Sequence, residues 1–172
     1  MLTGVEGVSR LWSRQMINET PYLRLQADYV GRLGVEVGIF VAVDHLRRKN
    51  LLTPEEEELY FDIDDWFREH LPEPPFYADG NTIGAITWFK HATTGAMLAR
   101  LRPLRDLLSV HDVRCDLVRA SDPGKLVYED QYQVGVIPRI RKRPSPLPPG
   151  VTLGPTTSGS KRHLARRPPE PR

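Results

Sequence analysis

The sequence predicts an α+β domain: a small, mainly antiparallel sheet of about three strands packed against helices, in the order β-α-α-α-β-β. Three observations carry this prediction. Apolar and polar residues alternate at period two over Tyr22–Val30 and again after Asp112, the pattern of half-buried strands. Between them, apolar residues recur at helical spacing, most extensively over Thr82–Val110. Clusters of proline, glycine and asparagine separate the periodic stretches, as expected of short connections.

Residues 1–20 show weak patterning and read as a loosely ordered extension. In Tyr22–Val30 the residues Leu23, Leu25, Ala27 and Tyr29 fall on one face and Arg24, Gln26 and Asp28 on the other, so the strand should bury the first set. Gly31 and Gly34 mark the turn that follows. Val35–Asn50 begins with strand-like valines, but Ile39, Ala42, Val43 and Leu46 share a helical face. The closing Arg47-Arg48-Lys49 suits a helix C-terminus electrostatically, so a helix is expected from about Gly38. Thr53-Pro54-Glu55-Glu56 is the sharpest local signal. It supplies an N-cap hydroxyl, a proline at the first helical position and a glutamate placed to close a capping box. The helix it starts presents Leu59, Tyr60, Ile63, Trp66, Phe67 and Leu71 to a core, and Pro72, Pro74 and Pro75 end it.

On a helical wheel, Thr82–Val110 places Ile83, Ile86, Phe89, Thr93, Met97, Leu101, Leu104, Leu107 and Leu108 on one stripe. Ala85, Ala92, Ala96 and Ala99 gather opposite it, and Asn81 or Thr82 is positioned to cap the helix. Pro103 should kink or break it. Beyond His111-Asp112 the period returns to two. Val113–Ala120 reads as a strand, Ser121-Asp122-Pro123-Gly124 as a turn, and Lys125–Glu129 with Gln131–Ile137 as a hairpin. From Arg139 the composition turns to proline, glycine, serine and threonine, too poor in apolar residues to offset ordering entropy. A disordered basic tail over 139–172 is expected, leaving 21–138 as the single globular domain.

At 172 residues the chain is long enough for one domain with a substantial core. No run of about 18 apolar residues is present, so no membrane contact is expected, and the opening residues lack the apolar run of a signal peptide. Cys115 is the only cysteine, which excludes an internal disulfide. These features point to a cytoplasmic protein. The net charge of +2 conceals two opposed parts: from Arg139 onward nine basic residues meet a single acid, Glu170, giving +8, so residues 1–138 carry −6.

Lys90 falls inside the apolar stripe of the central helix. Such a lysine is either a desolvated amine with chemical use, or a stem that packs while its ammonium reaches water or a carboxylate. His91 is its neighbour in sequence, and Glu129-Asp130 sits at the hairpin tip. Lys90, His91, Glu129 and Asp130 are therefore the candidate catalytic residues, in a pocket between the 82–110 helix and the 125–137 hairpin. His45, His70 and His111 are isolated, and no HxxxH or HExxH spacing occurs, so no metal is expected. Neither a glycine-rich phosphate loop nor a nucleophile elbow is present, so no cofactor is expected. The acidic residues of Glu55–Glu69 read as a solvated face or a docking surface for a basic partner. The reading these features favour is a small binding or accessory domain with a protein partner. A small-ligand binder or enzyme at the Lys90 pocket is the second reading. Weak nucleic-acid contact through phosphates along the basic tail is the third.

Overall fold

The computed structural model describes residues 21–143. Their core is a mixed α+β arrangement in which an antiparallel sheet carries helices on one face. The sheet has six strands rather than three: β1 (Tyr22–Val30), β2 (Glu36–Gly38), β3 (Ile86–Lys90), β4 (Cys115–Ala120), β5 (Lys125–Glu129) and β6 (Gln133–Ile137). The helices are α1 (Ile39–Arg48), α2 (Pro54–His70), α3 (Pro75–Ala78), α4 (Gly95–Arg100) and α5 (Arg102–Val110). The expected order β-α-α-α-β-β thus becomes β-β-α-α-α-β-α-α-β-β-β.

β1 is the hub because it is long enough to serve three neighbours. Along one edge it pairs with β4, from Tyr22↔Ala120 to Ala27↔Cys115. Its opposite edge is shared: β3 takes Tyr22 and Leu23, opposite Lys90 and Phe89, and β2 takes Gln26 and Val30. β3 continues the sheet to β6, and β6 to β5. Leu25, Ala27 and Tyr29 from β1, with Cys115, turn toward the helices and join Val43 and Leu46 of α1, Ile63 and Phe67 of α2, and Leu104, Leu107 and Leu108 of α5. This is the main core, and it matches the face assigned from the alternation of β1. The other sheet face holds a smaller apolar set, Ile86, Val134 and Val136, with Tyr22, Leu33, Val35 and Trp88 packed against it.

The start of α2 forms as its sequence dictates. Thr53 Oγ1 accepts from the Glu56 backbone N–H, and Glu56 Oε2 accepts from the Thr53 N–H at 2.9 Å, so both halves of the capping box are made. The same Glu56 carboxylate lies 3.1 Å from His111 Nε2, tying the start of α2 to the end of α5.

The expected helix over 82–110 is the main correction. Ile86–Lys90 is an interior strand, not a helix, and helical structure begins only at Gly95. Local chemistry explains this. Asn81, at φ +53°, brackets the turn: its side-chain oxygen accepts from the Ala85 N–H and its amide donates to the Ala85 carbonyl, each at 2.8 Å. Gly84 also sits at positive φ, which a starting helix does not accommodate. The run Ile-Thr-Trp-Phe that follows is β-branched and aromatic, suited to a pleated surface. The two helices that remain divide between Arg100 and Arg102, with Pro103 in the first turn of α5. The supposed alanine face is not a packing surface: Ala92, Ala96 and Ala99 are exposed.

The hairpin of β5 and β6 forms about Glu129-Asp130 as expected. Of the tail expected from Arg139, Arg139–Arg143 fall within the described residues and lie back across the sheet; the remainder, like residues 1–20, lies outside them. No described helix is long and apolar enough to cross a membrane.

Candidate functional site

The pairing of β3 with β1 and β6, and of β6 with β5, brings Lys90 beside the hairpin tip. Lys90 Nζ lies 2.6 Å from Glu129 Oε1, the two side chains being 25% and 51% exposed. Two of the four candidates therefore meet, as an ion pair whose charges cancel. Asp130 serves the turn. Its Oδ1 accepts from the backbone N–H of Tyr132 at 2.7 Å and of Gln133 at 2.9 Å. Its Oδ2 accepts from the Tyr128 hydroxyl at 2.8 Å and from Gln133 Nε2 at 3.1 Å. Burial opposes the charged carboxylate, but these bonds outweigh it and hold the Asp130 carboxyl below its usual range. The Tyr128 hydroxyl is pushed up to about 12 by its burial and by that carboxylate. His91 is exposed, and its backbone N–H donates to the Pro21 carbonyl. With 86–90 in the sheet, the pocket expected between an 82–110 helix and the hairpin has no helical wall, and Lys90 lines neither of the two hollows described next.

The first hollow, about 220 Å³, lies where α3 and the turn before β3 approach the outer strand β5. Pro75, Phe76, Asp79, Thr82, Ile83, Val127 and Tyr128 line it, Asp79 being the one charged residue. Phe76 reaches this position over Gly135, whose missing side chain makes the room: a Cβ there would stand 2.5 Å from Phe76 Cε1. Around the hollow, Ile83, Leu126 and Val127 are 45%, 51% and 39% exposed.

The second, about 320 Å³, lies on the face of the sheet away from the helices. Arg24 and Gln26 of β1, Ile86 and Trp88 of β3, and Val35 and Glu36 at the start of β2 form its floor. The β4–β5 turn at Asp122–Gly124 and the segment Pro138–Ile140 form its rim. That segment belongs to a strap running to Lys142: Arg139 pairs with Asp122, Arg141 donates to the carbonyls of Leu33 and Gly84, and Lys142 pairs with Glu36. Beneath it Arg24 is only 8% exposed. Its Nη1 donates to Gln26 Oε1 at 2.9 Å and to the Glu36 carbonyl at 2.8 Å. Burial pushes the guanidinium down to about 10, which leaves it charged at neutral pH.

Sequence reasoning passed over Arg24 and Trp88. Alternation puts Arg24 on the polar side of β1, and the helical count puts Trp88 on a helix. The strand composition of Ile86–Phe89 is the signal that would have found the second, since it sets Trp88 on the same sheet face as Arg24. Among the described residues no three His, Cys, Asp or Glu side chains converge as metal ligands do. Comparison with known proteins returns no matching family model, no significantly similar curated protein and no significantly similar solved structure.

Proposed function

We propose that the chain is a cytoplasmic protein-binding domain that receives an extended segment of a partner along the outer edge of β5. The observation that carries this reading is an apolar, open sheet edge beside a hollow. β5 pairs only with β6 among the described residues, so the backbone groups of its other edge have no strand to meet. Such an edge is a template for strand addition unless charge, proline or covering structure guards it. Leu126-Val127-Tyr128 contains neither charge nor proline, and Glu129 is occupied by Lys90. The strand's guards are the exposed Lys125 at its start and a bulge between Leu126 and Tyr128. An added strand would set alternate side chains over Ile83, Val127 and the hollow between them.

The test is selection of random peptides displayed against the full chain, followed by amide chemical-shift mapping with the enriched sequences. Peptides with apolar residues at alternate positions are expected. They should shift the amides of Lys125–Glu129 and lose binding when Val127 is replaced by lysine. No enrichment, or shifts centred elsewhere, would overturn the reading.

The other two readings have less support. Lys90 and Glu129 neutralise each other, and the Asp130 oxygens are engaged by the turn, so the quartet leaves little free chemistry for a reaction. For nucleic-acid contact through the tail, Arg139 and Lys142 already pair with Asp122 and Glu36 rather than standing ready for phosphates.

A further inference from the structure

We infer that the cleft beneath the strap is a binding site for a small monocarboxylate with an apolar body. The argument begins with charge. Glu36 and Asp122 border the cleft, but Lys142 and Arg139 already neutralise them. Arg24 has no carboxylate within ion-pair distance among the described residues; its two acceptors are a neutral amide oxygen and a backbone carbonyl. A guanidinium carries five N–H donors in a fork that fits a carboxylate, and only Nη1 is used here. A buried charge is ordinarily paired; among carboxylates only Glu36 acts on this one, through space and without a direct ion pair, and Glu36 is itself held by Lys142.

A second donor on the same wall is also unmet. Trp88 Nε1 is shielded from solvent and has no acceptor among the described residues. The open fork of Arg24 selects an acceptor-rich ligand, and its single charge selects a monoanion over a dianion; Trp88, whose shielded indole N–H stands in the same wall, reports on what enters. Val35, Ile86, Pro123, Pro138 and Ile140 complete the lining, so the rest of the ligand is apolar. The volume lies at the small end of the range for ligand cavities. Access runs past the strap. Ile140 is 78% exposed and marks the open rim, while the bonds of Arg141 to Leu33 and Gly84 hold the far end of the strap in place.

The experiment follows the indole N–H resonance of Trp88 in the full chain, assigned with Trp88→Phe, during titration with benzoate, hexanoate, inorganic phosphate and neutral benzamide. Saturable shifts are expected with the two carboxylates, and binding at least tenfold weaker with phosphate and benzamide. Arg24→Gln should weaken carboxylate binding at least tenfold. Ile140→Asp, which alters only an exposed strap residue and places a like charge at the rim, should weaken it at least fivefold while the spectrum elsewhere is retained. No saturable response to any carboxylate, or carboxylate affinity unchanged by Ile140→Asp, would overturn the site. Phosphate or benzamide binding as tightly as benzoate would overturn the ligand class.

Discussion

Replacing Arg24 by methionine tests whether this residue holds the fold together or is tolerated by it. Burial lowers the guanidinium from 12.5 to about 10, and each tenfold change is worth about 1.4 kcal/mol, so the charged form is disfavoured in the fold by roughly 3 kcal/mol. The sign follows from the direction. A folded value below the unfolded one means that folding opposes the protonated form. The cost is full below pH 10 and fades only between there and 12.5, so it is present entire at pH 7. Against its removal stands the loss of the bonds to Gln26 and Glu36, about 1.5 kcal/mol each at the low end of the range for charged donors. The two contributions nearly cancel. Methionine also keeps an unbranched apolar stem on the wall that Arg24 shares with Ile86 and Trp88. Urea unfolding at pH 7, with an unchanged m value, should therefore place Arg24→Met within about 1.5 kcal/mol of the parent. A loss above about 3 kcal/mol would show that the guanidinium is a structural clasp and would refute the view of it as an uncompensated charge.

Gly135→Ala should cost about 1–3 kcal/mol, because the new Cβ meets Phe76 Cε1 at 2.5 Å and Tyr128 Cβ at 3.0 Å. Thermal unfolding of Gly135→Ala and of Gly135→Ala/Phe76→Leu checks this; failure of the second change to recover any stability would reject the clash as the cause. His45 supplies a pH test. Its desolvation on α1, beside the Tyr29 hydroxyl 2.9 Å away, lowers its pKa below 6.5. The unfolded chain therefore takes up the proton first as pH falls. This part of the stability is complete above 6.5 and is lost as pH drops toward the folded value. His45→Gln should flatten the dependence of the urea midpoint on pH just below 6.5, and an unchanged slope would count against the assignment.

Much of the fold was legible because local rules and tertiary packing agreed. β1, the capped start of α2 and the β5–β6 hairpin all follow from spacing and turn chemistry read within a dozen residues. The 82–110 segment was misread because apolar residues at 83, 86 and 89 satisfy a helical count as well as a strand count. In the sheet, Ile86 and Phe89 stand on opposite faces: Ile86 joins Val134 and Val136, while Phe89 packs against the helical core. Lys90 shares a face with Ile86 in either geometry, since a spacing of four is even and is also close to one helical turn. The lysine was thus placed correctly relative to Ile86 and wrongly relative to Met97 and Leu101, which lie in the main core. Its partner Glu129 was among the candidates, but their meeting depends on β6 lying between β3 and β5, a non-local pairing that no short window contains.

Arg24 exposes a limit of the alternation rule itself. Polar residues at every second position of β1 show which face is excluded from the main core, not which face is in water. Asp28 and Arg24 stand in the same row, yet Asp28 is exposed and Arg24 is 8% exposed. The difference comes from what crosses above each. The strap and the β4–β5 turn lie beside Arg24, and both are anchored by residues far away in sequence: Arg139 to Asp122, Arg141 to Leu33 and Gly84, Lys142 to Glu36. These anchors are basic residues that composition assigns to a solvated tail. A run of like charge beside a proline is read as disorder because it has no apolar surface to bury. Here its first residues find order through ion pairs and carbonyls along a sheet face that already carries the complementary groups. The acidic balance of residues 1–138 and the basic balance beyond are therefore partly one interaction, and the cleft with its unpaired guanidinium is what that interaction encloses.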